Sequence, residues 1–278
     1  MSDPRPVGVF DSGVGGVTVL HELRRQLPQE SLLYLADLEK FPYGPRPLAE
    51  VRERALAIID MLASIDTKLV VIACNTATAA SLNAARERFD IPIVGVIAPG
   101  AHAAAAATKN GRVAVLSTQG TLDSGEYLHA IKEANPGVHV LGIAAPGLVD
   151  IVEDGEADSR RAELALQPLL HQIIAWGADT LVLGCTHYPL LRSALRRVTA
   201  GKRLRVIDSA ETTANRVSRI LTVNRLTCGK RGAARLDVLV TDSPSRFVST
   251  AARLFSERLP APQRVDITQT KPSLAVAQ

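Results

Sequence analysis

LVVIACNTA, residues 69–77, and TLVLGCTHY, residues 180–188, are nearly the same sentence written twice. Each is a β-branched and aliphatic run that ends in a small residue and a cysteine, then passes at once into hydroxyl or amide residues. A short continuous apolar run bounded this way predicts a strand buried on both faces. The cysteine then stands at the carboxyl end, where an open parallel sheet places its ligands. The chain holds three cysteines in 278 residues. Two of them, Cys74 and Cys185, occupy this same context.

Outward from these runs the chain alternates strand and helix. Strands are expected at Val7–Phe10, Ser31–Ala36, Leu69–Ala73, Ile93–Val96, Arg112–Leu116, His139–Gly142, Leu181–Gly184, Leu204–Ile207 and Leu236–Val240. Amphipathic helical stretches lie between them, among them Leu48–Ala63, Ala77–Arg88, Arg160–Trp176 and Thr212–Leu221. The class is α/β: two similar α/β domains with mainly parallel sheets, covered by helices and joined by right-handed crossovers. The break at Ala98-Pro99-Gly100 and a second after Asp208 divide the chain. Residues 1–97 plus 210–278 form a domain carrying Cys74, and 98–209 a domain carrying Cys185. The cleft between the domains would hold both thiols. The tail from Pro262 to Gln278 is weakly periodic and is expected to fray.

Composition narrows the classes. With 46% hydrophobic and 22% charged residues the chain can build a large core. The start, MSDPRPVGVFDSG, lacks the features of a secretory signal, and no run is long enough to span a bilayer, so a cytoplasmic setting is expected. Reducing conditions there keep the cysteines as thiols, and their wide spacing without CxxC suits neither a disulfide scaffold nor structural zinc. The net charge of +4 is uneven. The basic residues between Arg192 and Arg235 are accompanied only by Asp208 and Glu211. A nucleic-acid surface is one reading. Solvated helix faces are the better one, because few aromatics accompany the cluster to stack on bases.

Four segments carry chemistry. VGVFDSGVGG, residues 7–16, is a strand followed by Asp11, Ser12 and a glycine turn. It either presents N–H groups to an anion or forms a tight turn capped by Asp11. Thr18 stands where a dinucleotide fingerprint needs glycine, and no GxxxxGK[ST] loop exists, so NAD and ATP are poorly supported. DLEKFPYGPRP, residues 37–47, is a stiff loop whose Phe41, Tyr43 and Gly44 suit a pocket wall. Cys74 precedes Asn75, Thr76 and an alanine-rich helix. Cys185 precedes Thr186, His187, Tyr188 and Pro189, with proline favoured just inside a helix start. A helix N-terminus is expected to lower the pKa of each thiol. A single buried cysteine is more often inert packing, but two in matched contexts reverse those odds. Cys228 lies in a polar loop and reads as inert. His187 is near enough to Cys185 to exchange a proton, a satisfied structural histidine being the alternative. Glu153 and Asp154 read as surface charges.

Two thiols without CxxC, nucleotide loop or metal ligands suit a reaction with mirror symmetry. One removes a proton from carbon, and the other returns a proton to the opposite face.

The set DSGVGG (11–16), FPYG (41–44), ACNTATA (73–79) and GCTHYPLL (184–191), in this order and spacing, resembles the glutamate racemases of the wider aspartate/glutamate racemase superfamily. The resemblance covers nearly the whole chain. It implies cofactor-independent and metal-free interconversion of L- and D-glutamate, supplying D-glutamate for peptidoglycan. It implies Cys74 as the base for the D enantiomer and Cys185 for the L enantiomer. Asp11 would assist near Cys74, facing the substrate ammonium, and His187 with Glu153 near Cys185. Glu153 enters through a shorter match, P-x-L-V-x-x-V-E over residues 146–153. The substrate contacts implied are Asp11, Ser12, Tyr43, Gly44, Asn75, Thr76, Thr186 and His187. Thr78 replaces the serine often found in the family. A homodimer is also implied. The alternatives are an aspartate racemase of the same superfamily, and a binding role such as DNA gyrase inhibition through the basic 192–235 segment.

Overall fold

A chain whose strands are apolar on both faces must cover both faces, and two sheets achieve this separately. The computed structural model describes residues 2–229, 234–256 and 258–268. The first stretch runs β1 (Val7–Asp11), α1 (Val17–Gln26), β2 (Leu32–Ala36), α2 (Leu48–Ser64), β3 (Leu69–Ile72), α3 (Asn75–Arg88) and β4 (Ile93–Gly95). The middle runs α4 (Ile97–Ala107), β5 (Arg112–Ser117), α5 (Gln119–Asp123), α6 (Glu126–Ala134), β6 (His139–Ala144), α7 (Leu148–Glu153), α8 (Arg160–Ala175) and β7 (Thr180–Gly184). A 3-10 turn, Tyr188–Leu191, leads into α9 (Arg192–Val198) and β8 (Arg205–Asp208). The chain returns through α10 (Ser209–Val223), β9 (Leu236–Val240), α11 (Pro244–Leu254) and β10 (Gln263–Arg264).

The strands form two sheets, in the orders β10-β9-β2-β1-β3-β4 and β6-β5-β7-β8, and every pair is parallel. Alternation along each strand sends side chains to opposite faces. Val7, Val9, Leu69 and Val71 pack with α1 and α10, while Phe10, Val70 and Ile72 pack with α2 and α3. In the second sheet Leu116, Leu181 and Leu183 meet α7, α8 and α9, and Val113, Val115 and Val182 meet α4 and α6. The chain passes between the sheets twice, from β4 into α4 and from β8 into α10.

In each sheet the path leaves the central strand in one direction and comes back on its other side. The strand order therefore reverses beside β1 and β3 in one sheet and beside β5 and β7 in the other. Such reversals open a crevice at the carboxyl ends. Cys74 follows β3 and Cys185 follows β7, so both cysteines sit at equivalent points of the two sheets.

Three local expectations are corrected. Ala98-Pro99-Gly100 is not a break but part of the first turn of α4. Proline is tolerated there because its missing N–H is one of the donors that a helix start leaves without an intrahelical partner. Asp208 does not open a loop, since its carboxylate accepts the Ala210 N–H at 3.1 Å and caps α10 directly. The tail does not fray from Pro262: Gln263 and Arg264 pair with Leu239 and Val240 as an edge strand. The expectation for 269–278 lies outside the described residues.

The basic run is also less bare than its sequence. Arg192 pairs with Asp208, Arg197 with Asp158 and Glu163, and Arg235 with Asp237. Lys230 and Arg231 lie outside the described residues.

Candidate active site

The glycine turn after β1 is built around Asp11. One carboxylate oxygen accepts the N–H groups of Gly13 at 3.1 Å and Gly16 at 3.0 Å. A Cβ at Gly16 would lie 2.4 Å from Asp11 Cβ, so the loop closes this tightly only with glycine. The other oxygen faces Thr186 Oγ1, 3.4 Å away, which arrives from the second sheet. Thr18 Oγ1 donates to the Thr186 carbonyl at 3.1 Å. A Cβ at Gly15 would lie 2.4 Å from His187 Nδ1. The glycines thus let the end of β7 press against the end of β1.

Between these strand ends lies a cavity of about 250 Å³. Ser12, Phe41, Tyr43, Gly44, Cys74, Asn75 and Thr76 line it from the first sheet, and Cys185, Thr186 and His187 from the second. Both thiols are nearly sealed from solvent, at 6% and 7% exposure, which matters because proton transfer to carbon needs water kept out. Cys74 caps α3, its sulfur accepting the Ala77 N–H at 3.5 Å and lying 3.9 Å from Ser12 Oγ. The N-terminus of α3, with Asn75 and Thr76, opens toward the cavity and favours an anion there.

The expected lowering of the Cys74 pKa by its helix is overturned. Burial pushes the thiol up to about 12, the negative Asp11 adds to the rise, and the Ala77 N–H opposes it too weakly. Nor does Cys185 stand at an α-helix start. The residues after His187 form one 3-10 turn containing Pro189, and α9 begins only at Arg192.

Cys185 has a different neighbour. His187 Nδ1 lies 3.9 Å from its sulfur, and His187 Nε2 meets Glu153 Oε1 at 2.9 Å. Burial opposes the imidazolium, but the hydrogen bonds to Cys185 and Glu153 and the negative Asp11 outweigh it and lift His187 to about 10. Glu153 is therefore no free surface charge. It ends α7, Arg253 of α11 binds its carbonyl at 2.7 Å, and its carboxylate stands behind His187 rather than in the cavity.

Two further expected side chains, Asp11 and Tyr43, have distinct surroundings. Asp11 is fully buried, facing Gly13, Gly16 and Thr186 just behind the cavity wall. Burial raises its carboxyl pKa, with His187 and these donors opposing. Tyr43 lines the cavity, yet its hydroxyl donates to Asp37, itself held by Arg54 and Thr241. What Tyr43 offers the cavity is not its hydroxyl.

The sequence reading missed the residues after β5. Thr118 and Thr121 join Thr76 in a triangle of hydroxyls with sides of 3.0, 3.1 and 3.0 Å. Beside it the Gly120 N–H donates to the Gly44 carbonyl at 3.0 Å. Gln119, Ala145, Pro146, Gly147, Val149 and Asp150 also line the cavity. The usable clue was positional: β5 and β1 are central strands, so the loop after β5 corresponds to the DSG loop after β1. Among the described residues, no three His, Cys, Asp or Glu side chains cluster to hold a metal, and no helix is long and apolar enough to cross a membrane.

The geometry agrees with known proteins. A family model for Asp/Glu/hydantoin racemase matches residues 8–217. A glutamate racemase from Geobacter metallireducens is 42% identical over 92% of this chain and 94% of its own length. A glutamate racemase isoform from Bacillus anthracis superposes with a TM-score of 0.89 at 38% identity, covering 94% of this chain and 97% of that one. One from Francisella tularensis, solved with D-glutamate, has a TM-score of 0.89 at 27% identity, over 95% and 98% of the two chains.

Proposed function

Because the chain belongs to the Asp/Glu/hydantoin racemase family, among its glutamate racemases, we propose that it interconverts L- and D-glutamate by proton transfer between two cysteines, without a cofactor. The observation that carries this reading is the pair of buried thiols, delivered by β3 and β7 of separate sheets, that line one cavity. In one direction the Cys185 thiolate takes the α-proton of L-glutamate. The C–H bond breaks, an S–H bond forms, and the electron pair stays on Cα, spread onto the α-carboxylate. The Cys74 S–H then gives its proton to the opposite face, yielding D-glutamate. The reverse reaction exchanges the roles.

The surroundings fit these demands. His187, held by Glu153, keeps positive charge 3.9 Å from the Cys185 sulfur. Among the described residues no cation stands comparably beside Cys74, where burial and Asp11 disfavour the thiolate. The ammonium of glutamate supplies that missing cation on binding. The Asn75 amide, the Thr76 and Thr186 hydroxyls and the α3 N-terminus hold carboxylates. Residues 1–97 with 210–278 and residues 98–209 are the two domains, and their parting at 97/98 and 209/210 admits substrate.

Racemisation in deuterium oxide, followed by circular dichroism and mass, tests the reading. Each turnover places one solvent deuterium on Cα, and Cys74→Ser or Cys185→Ser severely reduces it. Racemisation of aspartate but not glutamate overturns the substrate, and near wild-type turnover by either variant overturns the two-base scheme. The place in metabolism that follows is D-glutamate supply for peptidoglycan in the cytoplasm. The family also implies a homodimer, which sedimentation tests. The gyrase role rests on the resemblance and the 192–235 segment, and a supercoiling assay with Cys74→Ser tests it.

A further inference from the structure

Tyr127, in the first turn of α6, is buried at 4% exposure in the core that packs on the second sheet. Its ring lies against Gly184, where an added Cβ would approach Cε2 to 3.1 Å, immediately before Cys185. Its hydroxyl leaves that core. It donates at 2.8 Å to Oδ1 of Asn75, which belongs to the first sheet's half.

The consequence falls on Asn75. With Oδ1 taken, its Nδ2 is buried and has no partner among the described residues, while the residue lines the cavity beside the N-terminus of α3. A buried amide N–H pair without an acceptor costs free energy until one arrives. An unconstrained amide can rotate by half a turn, and would then point its oxygen at an incoming carboxylate. The Tyr127 hydroxyl opposes this rotation, because turning the amide would give up its donation to Oδ1 and leave the oxygen rather than the N–H pair without a partner.

We propose that Tyr127 is a positioning residue that latches the two halves and fixes the Asn75 amide with its N–H groups toward the substrate carboxylate only when the cleft is closed. The latch rests on reading the cavity as the glutamate site. It couples closure to recognition, since parting the sheets withdraws Tyr127 from Asn75 and frees the amide. A phenylalanine would fill the same core space but could not set the amide.

Tyr127→Phe tests it, first without substrate. In wild-type protein labelled at asparagine, the two Asn75 side-chain amide protons are resolved and exchange slowly, and in Tyr127→Phe they average or exchange fast. Unaltered Asn75 signals overturn the latch. Turnover is the second readout. Tyr127→Phe raises KM for both glutamate enantiomers about tenfold, the loss of one buried hydrogen bond. Its kcat changes less and its melting temperature stays within about 3 °C, and adding it to Asn75→Ala raises KM no further. An unchanged KM, or effects that multiply in the double variant, overturns the proposal. A wild-type protein that racemises no glutamate, with Asn75 signals that still respond to Tyr127→Phe, overturns the substrate reading and leaves the latch standing.

Discussion

Glu153→Gln isolates the charge behind His187 while keeping the shape of the contact. The carboxylate meets Nε2 at 2.9 Å, in a pair whose side chains are 3% and 18% exposed. A hydrogen bond to a charged group is worth about 1.5–3 kcal/mol, and the partial exposure of Glu153 favours the lower part of that range. At 1.36 kcal/mol per pH unit, losing the charge lowers the His187 pKa by about one to two units. In the wild type that value stands at about 10, above the ordinary 6.5. Because the folded-state value is the raised one, the stabilisation is fully present below pH 6.5 and is lost as pH rises through about 10. Glu153→Gln is therefore less stable than wild type near pH 6.5, and the difference closes toward pH 10. Ring-carbon NMR titration follows His187 directly, with His187→Ala identifying its signal among the six histidines. Urea unfolding at both pH values measures the energy. Titration of wild-type His187 near 6.5, or an equal stability difference at both pH values, would refute the argument.

Other substitutions probe separate parts of the structure. L- and D-glutamate have equal free energy in water, so kcat/KM stays equal in the two directions for every active variant. Glu153→Gln instead makes the α-deuterium isotope effect larger from L-glutamate than from D-glutamate, and symmetric effects would remove His187 from the Cys185 side. Cys185→Ser lowers turnover by about 10²–10⁴, the usual size of a lost acid–base step, read by polarimetry in both directions. Gly15→Ala drives a Cβ to 2.4 Å from His187 Nδ1, where overpacking costs about 1–3 kcal/mol and parts the two strand ends. Its melting temperature and turnover both fall, and normal turnover would show that the close approach is dispensable. Lys68→Met leaves Glu30 buried without its cation, costing about 3–5 kcal/mol in urea unfolding with kcat unchanged. A cost below about 1 kcal/mol would mean that water reaches Glu30.

The strands at the sheet centres were the most legible, because they are buried on both faces and read as apolar runs, whereas the exposed edge strand β10, Gln263–Arg264, left no such signal. Leu69–Ile72 and Thr180–Gly184 are fully buried and stand where the sequence predicts. Short or atypical helices were less legible. The first turn of α4 contains proline and glycine, which read as a break until the chain is seen to bury Ile97 and Ala101 against the second sheet. Charges were legible by type and not by partner. Glu153 looks solvated in a local window, because its partner His187 is 34 residues away. The acids that meet Arg197, Asp158 and Glu163, lie far outside the basic run.

The sequence by itself determined the α/β class and the two cysteines at strand ends, since hydrophobic period and residue type are local properties. It also carried the motifs that mark the racemase family. Only the tertiary structure decided which loops face one another, and with them the environments of the thiols. Cys74 lies between Ser12 and the Asp11 charge, and Cys185 beside His187 with Glu153 behind it. A thiol's protonation depends on burial and on charges within a few ångströms. Those distances arise only when two sheets, remote along the chain, are packed against each other.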